Sequence, residues 1–244
     1  MTEPMEASTS GGRADGRGAE EFRSVFFKTR VLSQAKGSAY VEFGTCKVMV
    51  GVFGPRQSEV KLGFTDTGRL NCEVRFTTFA AARLNKAELG ALESSAASAL
   101  QQALEAALQL DKFPKAVFDV SALVLEGAGW AGGDTGALVC GASLALADAG
   151  VEGLDLVPGC GVSKTAAGEL LLDPSPEEAA AEEAGLVLAV LPQLNEVTLL
   201  SVRGRWADSE LQAGLELALG GCAQLRAHMR DCLLAALAEP RAPA

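Results

Sequence analysis

The chain has 244 residues, which is enough for one large domain or for two lobes that share a core. Hydrophobic residues make up 48% of it and aromatic residues only 5%, so we expect a core built mainly from Ala, Leu and Val. The formal net charge of −10 argues against indiscriminate binding to nucleic acid. Through Lys86, however, 13 Lys or Arg stand against 9 Asp or Glu, so any RNA contact should come from this first third.

Several kinds of segment and site have little support in the sequence. No uncharged apolar run reaches the roughly 18 residues of a clear membrane span, and the acidic N-terminus lacks the apolar core of a secretory signal. We therefore expect a protein that stays inside the cell and does not contact membranes. The six cysteines include no C-x-x-C pair, which favours buried reduced thiols over zinc or a disulfide framework. His228 is the single histidine, so we expect neither a histidine-based metal site nor a catalytic triad, and no cofactor.

The first predicted elements are an arm and three strands. Residues 1–20 are rich in Gly, Ser, Thr, Glu and Ala and should form a disordered N-terminal arm, followed by a single domain over residues 21–240. The stretch SAYVEFGTCKVMVGVFGPR alternates apolar and polar residues around a Gly-Thr turn and predicts a β-hairpin. The stretch GRLNCEVRF predicts a further strand, with polar side chains on one face and apolar side chains on the other.

Helical and extended segments then alternate to the end of the chain. Leu and Ala at three- and four-residue steps predict a helix from Lys86 to Leu110. The stretch KFPKAVFDVSALVLE predicts a strand, and residues 137–147 predict a tightly packed helix of small apolar residues. Residues 154–174 and 185–204 predict two short strands each, and a final helix should run from Asp208 to Glu239. This order predicts an α+β protein in which mixed sheets pack against helices, with an internal duplication of a strand-and-helix unit.

A glycine-rich stretch, GWAGGDTGALVCGASLALADAG, precedes and enters the helix of small residues. A glycine loop before a helix N-terminus points several free N–H groups at one place and can hold a phosphate. Sites that hold a phosphate during chemistry usually add a guanidinium or an ammonium group. No Lys or Arg occurs between Lys115 and Lys164. A stand-alone nucleotide-binding loop would also need a Lys-Ser/Thr or G-x-G-x-x-G continuation, which the sequence lacks.

Several separate stretches of the sequence resemble one family. ADGRGAEEFRSVFF, GRLNCEVRF, FPKAVFDVSALVLE and GASLALADAGVEGLDLV occur in the order and approximate spacing found in RNase PH-type subunits of the eukaryotic RNA exosome. The resemblance implies the RNase PH fold and a place in a hexameric ring of related subunits. It also implies cap subunits and RNA as partners, and a location in the nucleus, including the nucleolus, and in the cytoplasm.

The resemblance also implies where the chemistry of active relatives would lie. A Gly-Gly-Thr-Arg-type loop binds the attacking phosphate in those relatives, and the corresponding stretch here is Gly132, Gly133, Asp134, Thr135 and Gly136. The arginine is therefore missing. The carboxylate that acts with a metal ion should fall where Gly185 stands, and residues 184–195 contain no Asp or Glu.

We therefore expect a non-catalytic ring subunit without a metal site. It would support assembly and guide RNA in 3′-to-5′ processing and decay, including rRNA maturation and mRNA turnover. The alternative is an active phosphate-dependent 3′-to-5′ exoribonuclease whose site residues lie elsewhere in the chain.

Five cations are candidate RNA-binding residues, because the resemblance places this basic region along the RNA path: Arg56, Arg69, Arg75, Arg83 and Lys86. Two interpretations stay open for them. The cations contact RNA, or they are solvated side chains that pair locally, with Arg56 capping a loop. Glu73 favours the second interpretation for its neighbours, since a local ion pair would neutralise their charge.

Three other features have competing interpretations. An acidic run is typical of a solvated helix or loop rather than of a metal site, and its members are Asp173, Glu177, Glu178, Glu182 and Glu183. Trp130 and Trp206 are expected to pack against the protein rather than to stack on a base. Asp15 and Arg17 are expected to anchor the N-terminal arm on a neighbouring subunit rather than to touch RNA.

Overall fold

The computed structural model describes Arg13, residues 15–57 and 67–78, Ala80, and residues 85–127 and 132–238. These residues form two β-sheets and four α-helices, which confirms the predicted α+β class. None of the helices in the described ranges is both long and apolar enough to cross a membrane. The buried core consists mainly of Ala, Leu and Val, as the composition predicts.

The first sheet has five strands in the order β1-β2-β3-β5-β4. They are β1 (Val25–Thr29), β2 (Gly37–Phe43), β3 (Cys46–Gln57), β4 (Arg69–Phe76) and β5 (Ala116–Glu126). β2 and β3 form the predicted hairpin, and Gly44 in its turn takes the left-handed φ of 56° that favours glycine. β4 pairs with β5 in parallel, which requires the helical crossover between them.

That crossover is α1 (Lys86–Glu105). It begins at a capping box, in which the Asn85 side chain accepts hydrogen bonds from backbone N–H groups of the first turn and Glu88 bonds back to Asn85. It buries Leu100 and Leu104 beneath the first sheet. The helix ends five residues before the predicted Leu110, which starts a short 3-10 turn instead.

The second sheet has four antiparallel strands in the order β7-β6-β8-β9. They are β6 (Gly159–Lys164), β7 (Leu170–Leu172), β8 (Ala184–Leu191) and β9 (Glu196–Gly204). A short helix, α3 (Pro176–Ala180), connects β7 and β8. These four strands are those predicted from residues 154–174 and 185–204.

Two helices cover the second sheet, and one of them joins it to the first. α2 (Gly132–Ala149) lies between the sheets and packs against β2 and β3 on one side and against β6 and β8 on the other. Residues 134–146 are all buried, as expected for the helix of small residues. α4 (Asp208–Ala238) packs against β6 and β8 on the opposite face. Thus Gly159 of β6 faces α2, and the next residue, Cys160, faces α4.

The described part of the N-terminal arm lies against the domain. The Arg13 guanidinium donates to the backbone oxygens of Leu172 and Asp173, at 2.8 and 3.0 Å, and pairs with Glu178. The Leu172 N–H donates to the Ala19 oxygen at 2.8 Å. Buried arginine hydrogen bonds thus tether Arg13 and residues 15–20 to β7. Residues 1–12 lie outside the described ranges.

The strand order adds two points about the predicted organisation. β1 was not predicted as a strand, because its sequence VFFKT shows apolar residues without a clear alternation. The first sheet contains a parallel pair and the second is wholly antiparallel. An internal duplication therefore stays a prediction.

Candidate functional site

The glycine-rich stretch does not form a loop at residues 132–136, because these residues are the first turn of α2. Asp134 is 0% exposed and Thr135 is 7% exposed, so neither side chain faces solvent. The sequence interpretation of Gly132 to Gly136 as a loop is corrected by this helix. Residues 128–131, which include Trp130, lie outside the described residues.

Gly136 has a packing role in the structure. A Cβ built on it would lie 2.7 Å from the backbone oxygen of Gly159, so only glycine lets α2 approach β6 this closely. This contact explains the glycine without any bound phosphate.

A buried ion pair lies beside the start of α2. The Arg23 guanidinium donates to both carboxylate oxygens of Asp173, at 2.9 and 2.7 Å, and the Arg23 backbone N–H donates to the same carboxylate. The two side chains are 7% and 2% exposed. Arg23 also lies within electrostatic range of Asp134, whose carboxylate is hydrogen-bonded to the thiol of Cys46. Burial is the main reason that the pKa of this thiol is raised, so Cys46 is neutral.

The charges of this cluster decide what the start of α2 can bind. One guanidinium stands beside two carboxylates, Asp173 and Asp134. The formal charges of these three side chains sum to −1. A guanidinium is thus present near the helix start, but it is buried and bound on two atoms by Asp173. The position where active relatives are expected to place an arginine is Thr135, and the residue before it is the carboxylate Asp134.

A carboxylate also lies over Gly185, where the sequence predicts that none is available. A Cβ built on Gly185 would lie 2.8 Å from Oε1 of Glu182, so the Glu182 side chain occupies that space. Gly185 pairs with Ser163, which shares the α2 face of the sheet with Gly159. Burial raises the pKa of Glu182, and Arg203 opposes this shift from 3.3 Å. The sequence pattern does not predict this role for Glu182, because the residue lies three positions before Gly185 and outside the strand.

Only part of the acidic run is solvated, since Glu177 and Glu183 are exposed. Asp173 is 1% exposed, and Glu178 accepts two hydrogen bonds from Arg13 at 2.8 and 2.6 Å. The solvated interpretation is therefore wrong for Asp173, Glu178 and Glu182, because they form ion pairs with Arg23, with Arg13 of the arm and with Arg203 of β9. The described residues contain no group of three His, Cys, Asp or Glu side chains able to hold a metal ion.

Three of the predicted RNA-binding cations lie on one open face of the first sheet. Arg56 of β3 and Arg69 of β4 both pair with Val117 of the intervening strand, so they lie about two strand spacings apart, near 10 Å. Arg56 forms an ion pair with Asp119, which also accepts a hydrogen bond from Asn71 at 3.0 Å. Arg56 is therefore neutralised on the sheet and does not cap a loop.

Further along the same strand, Arg75 pairs with Glu73. Arg75 Nε donates to Glu73 Oε1 at 2.8 Å, which agrees with the local-pairing interpretation, and the two side chains are 67% and 57% exposed. Lys86 is exposed at the start of α1, away from this face. Arg83 lies outside the described residues. The structure brings Arg56, Arg69 and Arg75 together and leaves a weakly positive face.

The remaining sequence features have structural roles. Cys46, Cys140, Cys160 and Cys222 are free and buried, and burial raises the pKa of Cys140 to about 12. Trp206 donates its indole N–H to the Arg203 oxygen and packs against Gly214.

Asp15 and Arg17 form an ion pair within the arm. Arg17 also donates to the oxygens of Glu21 and Asp173, so this pair holds the arm against its own domain. The expected contact with a neighbouring subunit stays a prediction.

The fold and sequence define a class of protein. Models of the 3′ exoribonuclease family match the chain, domain 1 over residues 21–152 and domain 2 over residues 138–221. The chain belongs to this family. The two matches overlap within α2, the helix that lies between the sheets. The predicted single domain over residues 21–240 stays a prediction.

Individual relatives narrow this class. The chain is 40% identical to exosome complex component MTR3 of Homo sapiens over 235 residues, which cover 90% of this chain and 85% of that protein. It is also 40% identical to exosome complex component RRP41-like of Arabidopsis thaliana over 221 residues, which cover 91% of this chain and 84% of that protein. The runs SQAKGSAYVEFG, GPR and LALADAG resemble the subunit called mRNA transport regulator three, and the identity to MTR3 confirms this likeness.

Solved structures share the fold. Rice (Oryza sativa) Rrp46 superimposes with a TM-score of 0.77 at 20% identity, over 89% of this chain and 98% of that one. A chain of the Archaeoglobus fulgidus exosome with RNA bound to the active site superimposes with a TM-score of 0.76 at 22% identity, over 89% and 92% of the two chains.

Proposed function

We propose that this chain is a non-catalytic subunit of an RNA exosome ring. It supports assembly of the ring and guides RNA in 3′-to-5′ processing and decay, including rRNA maturation and mRNA turnover. Its partners are other RNase PH-type ring subunits, cap subunits and RNA, and it acts in the nucleus, including the nucleolus, and in the cytoplasm. The relatives named as exosome components support this role.

One observation carries the non-catalytic part of the proposal. The resemblance places the phosphate-binding stretch at residues 132–136, and the buried side chains in this first turn of α2, Asp134 and Thr135, carry no positive charge. Phosphorolysis needs the attacking phosphate held in line and its charge neutralised. The cluster of Arg23, Asp173 and Asp134, with a formal charge of −1, does not neutralise that charge.

A phosphorolysis assay tests this part directly. The full chain is incubated with single-stranded RNA, inorganic phosphate and magnesium, and released nucleoside diphosphate is measured. We expect none above a sample without protein. The same assay on complexes purified from cells through this chain should give equal activity with the wild type and with Asp134→Asn.

One specific observation favours the alternative of an active exoribonuclease. Glu182 supplies a carboxylate at Gly185, so this chain could contribute an acidic group of its own there. Phosphate-dependent trimming by the purified chain that is lost in Glu182→Gln, and kept in the exposed control Glu169→Gln, would establish that alternative.

The guiding role depends on the face that carries Arg56, Arg69 and Arg75. With Asp119 and Glu73 included, that face has a net charge of only +1, so we expect weak, salt-sensitive RNA binding. Replacing Arg69 and Arg75 by Ala should reduce RNA binding and leave ring assembly unchanged.

A further inference from the structure

The open face of the first sheet carries apolar side chains among its cations. Phe53 of β3 is 41% exposed, and Leu123 of β5 is 37% exposed beside its strand partner Met49. α2 lies against the opposite face of this sheet, where Gly141 approaches Val50. Large apolar side chains that stay exposed together on one face mark a binding surface.

The Phe53 ring lies over a glycine. Gly51 and Phe53 are two residues apart in β3 and therefore share the open face. A Cβ built on Gly51 would lie 3.3 Å from Cε2 of Phe53 and 3.1 Å from Cδ1 of Leu32. The ring therefore lies along the strand, next to the space that a larger residue would fill. The side of the ring that faces away from the sheet stays open to solvent.

Two arginines lie next to this ring. Arg56 follows Phe53 by three residues in β3, and Arg69 lies opposite Arg56 across β5. Arg56 forms an ion pair with Asp119, which is the strand partner of Phe53. Arg69 forms no ion pair with any residue that the structure describes. The two arginines and this one carboxylate give a formal charge of +1 at this end of the face.

Groups that can bond to the edge of a base also lie beside the ring. Asn71 donates one amide N–H to Asp119 at 3.0 Å, and its amide oxygen has no partner among the described residues. Ser121 is the strand partner of Gly51 and lies on the same face. RNA-binding sheets hold unpaired bases with such a set, in which an aromatic ring on the sheet surface has polar groups and cations around it.

We propose that Phe53 is a stacking platform for one unpaired base of single-stranded RNA. The base lies on the open side of the Phe53 ring, and Arg56 and Arg69 bind the phosphates of the neighbouring nucleotides. Because every base has a π-face, this contact accepts any sequence and rejects bases that are already paired in a duplex. The inference rests on the proposed guiding role, and it adds a contact to the bases where charge alone gives a contact to the phosphates.

Fluorescence anisotropy on the full chain tests the proposal with two labelled probes. One is a short single-stranded RNA of mixed sequence, and the other is an abasic strand with the same number of phosphates. The wild type should bind the RNA more tightly than the abasic strand. Phe53→Ala should weaken binding to the RNA about five-fold or more and leave binding to the abasic strand unchanged.

Three further variants separate stacking from charge and from loss of packing. Phe53→Leu keeps an apolar side chain over Gly51 without an aromatic ring, and it should lose the same affinity as Phe53→Ala. Phe53→Tyr should bind as the wild type does. The matched control is Phe26→Ala, which removes an exposed aromatic side chain from β1, at the far edge of the same face, and should leave both affinities unchanged.

The outcomes distinguish this inference from the guiding role. Binding of the wild type to neither probe overturns the guiding role and this inference with it. Equal affinity of the wild type for the two probes, or unchanged RNA affinity in both Phe53→Ala and Phe53→Leu, overturns this inference alone. Unchanged RNA affinity together with lost recovery of exosome subunits from cells in Phe53→Ala would assign the ring to a protein contact and also overturn it.

Discussion

The start of α2 and the open face of the first sheet both contain arginine–carboxylate pairs, and they differ in solvent exposure. Arg23 and Asp173 are 7% and 2% exposed, whereas Arg75 and Glu73 are 67% and 57% exposed. In the buried pair neither charge can leave its partner without a large desolvation cost. In the exposed pair water screens both charges, and an RNA phosphate can replace the carboxylate. Burial therefore makes the first pair part of the fold and leaves the second available for binding.

The largest effect should come from breaking the buried pair. Asp173→Ala leaves the Arg23 guanidinium buried without its counter-charge, which should cost about 3–5 kcal/mol of unfolding free energy. Glu73→Ala removes a carboxylate from the exposed pair and should not change stability measurably. Denaturant unfolding of both variants checks the comparison, and equal losses would show that burial does not separate the two regions.

The glycine at the start of α2 gives the next largest effect. Gly136→Ala places a Cβ against the Gly159 oxygen and should destabilise the chain by roughly 1–3 kcal/mol through overpacking. The control is Gly90→Ala, an exposed position in α1 with open space around its Cβ. This control should be neutral or stabilising by up to about 1 kcal/mol. If Gly136→Ala did not lower the free energy of unfolding, close packing would not explain this glycine, and a role in ligand binding would be the better explanation.

On the open face, the expected change is in RNA affinity. Glu73→Gln frees Arg75 to bind a phosphate, so affinity for single-stranded RNA should rise. The slope of log affinity against log salt should steepen by roughly 0.7, because one more phosphate is neutralised. Fluorescence anisotropy at several salt concentrations measures both quantities. The control Glu169→Gln makes the same change of charge just before β7 of the second sheet. An equal rise in RNA affinity in this control would mean that only the net charge of the chain matters.

The smallest effect concerns the arm. Hydrogen bonds from Arg13 lower the pKa of Glu178 from its ordinary value of 4.5. The ionised carboxylate therefore stabilises the fold above that value, and the stabilisation is lost as pH falls through the lower folded pKa. Glu178→Gln should be less stable than the wild type at pH 7, and the difference should shrink below about pH 4.5. Unfolding midpoints between pH 7 and pH 3 measure it, and a constant difference would rule out this linkage.

Local pattern in the sequence is sufficient to predict most of the fold. The hairpin, β4, β5 and the long helices follow from alternation and from helical spacing, and Asn85 with Glu88 marks the start of α1. The alternation in GRLNCEVRF also predicts which side chains share the open face with Arg75, and the structure confirms it. The ion pair with Glu73 followed from the same two-residue spacing.

The remaining features depend on contacts between residues distant in sequence. Arg23 and Asp173 are 150 positions apart, and nothing local shows that Asp173 is buried. The glycines at 132–136 resemble a phosphate loop because glycine serves equally for an anion and for close helix packing. The connection between α3 and β8 folds so that the Glu182 side chain lies against Gly185. Composition does not predict the conformation of this connection.

Direct phosphate binding tests the central claim, that the start of α2 does not hold an anion. Phosphorus NMR of inorganic phosphate, titrated with the full chain at low ionic strength, reports binding as line broadening. We predict no saturable broadening for the wild type, and none for the Thr135→Ala control. Saturable binding by the wild type that is lost in Thr135→Ala would contradict the account.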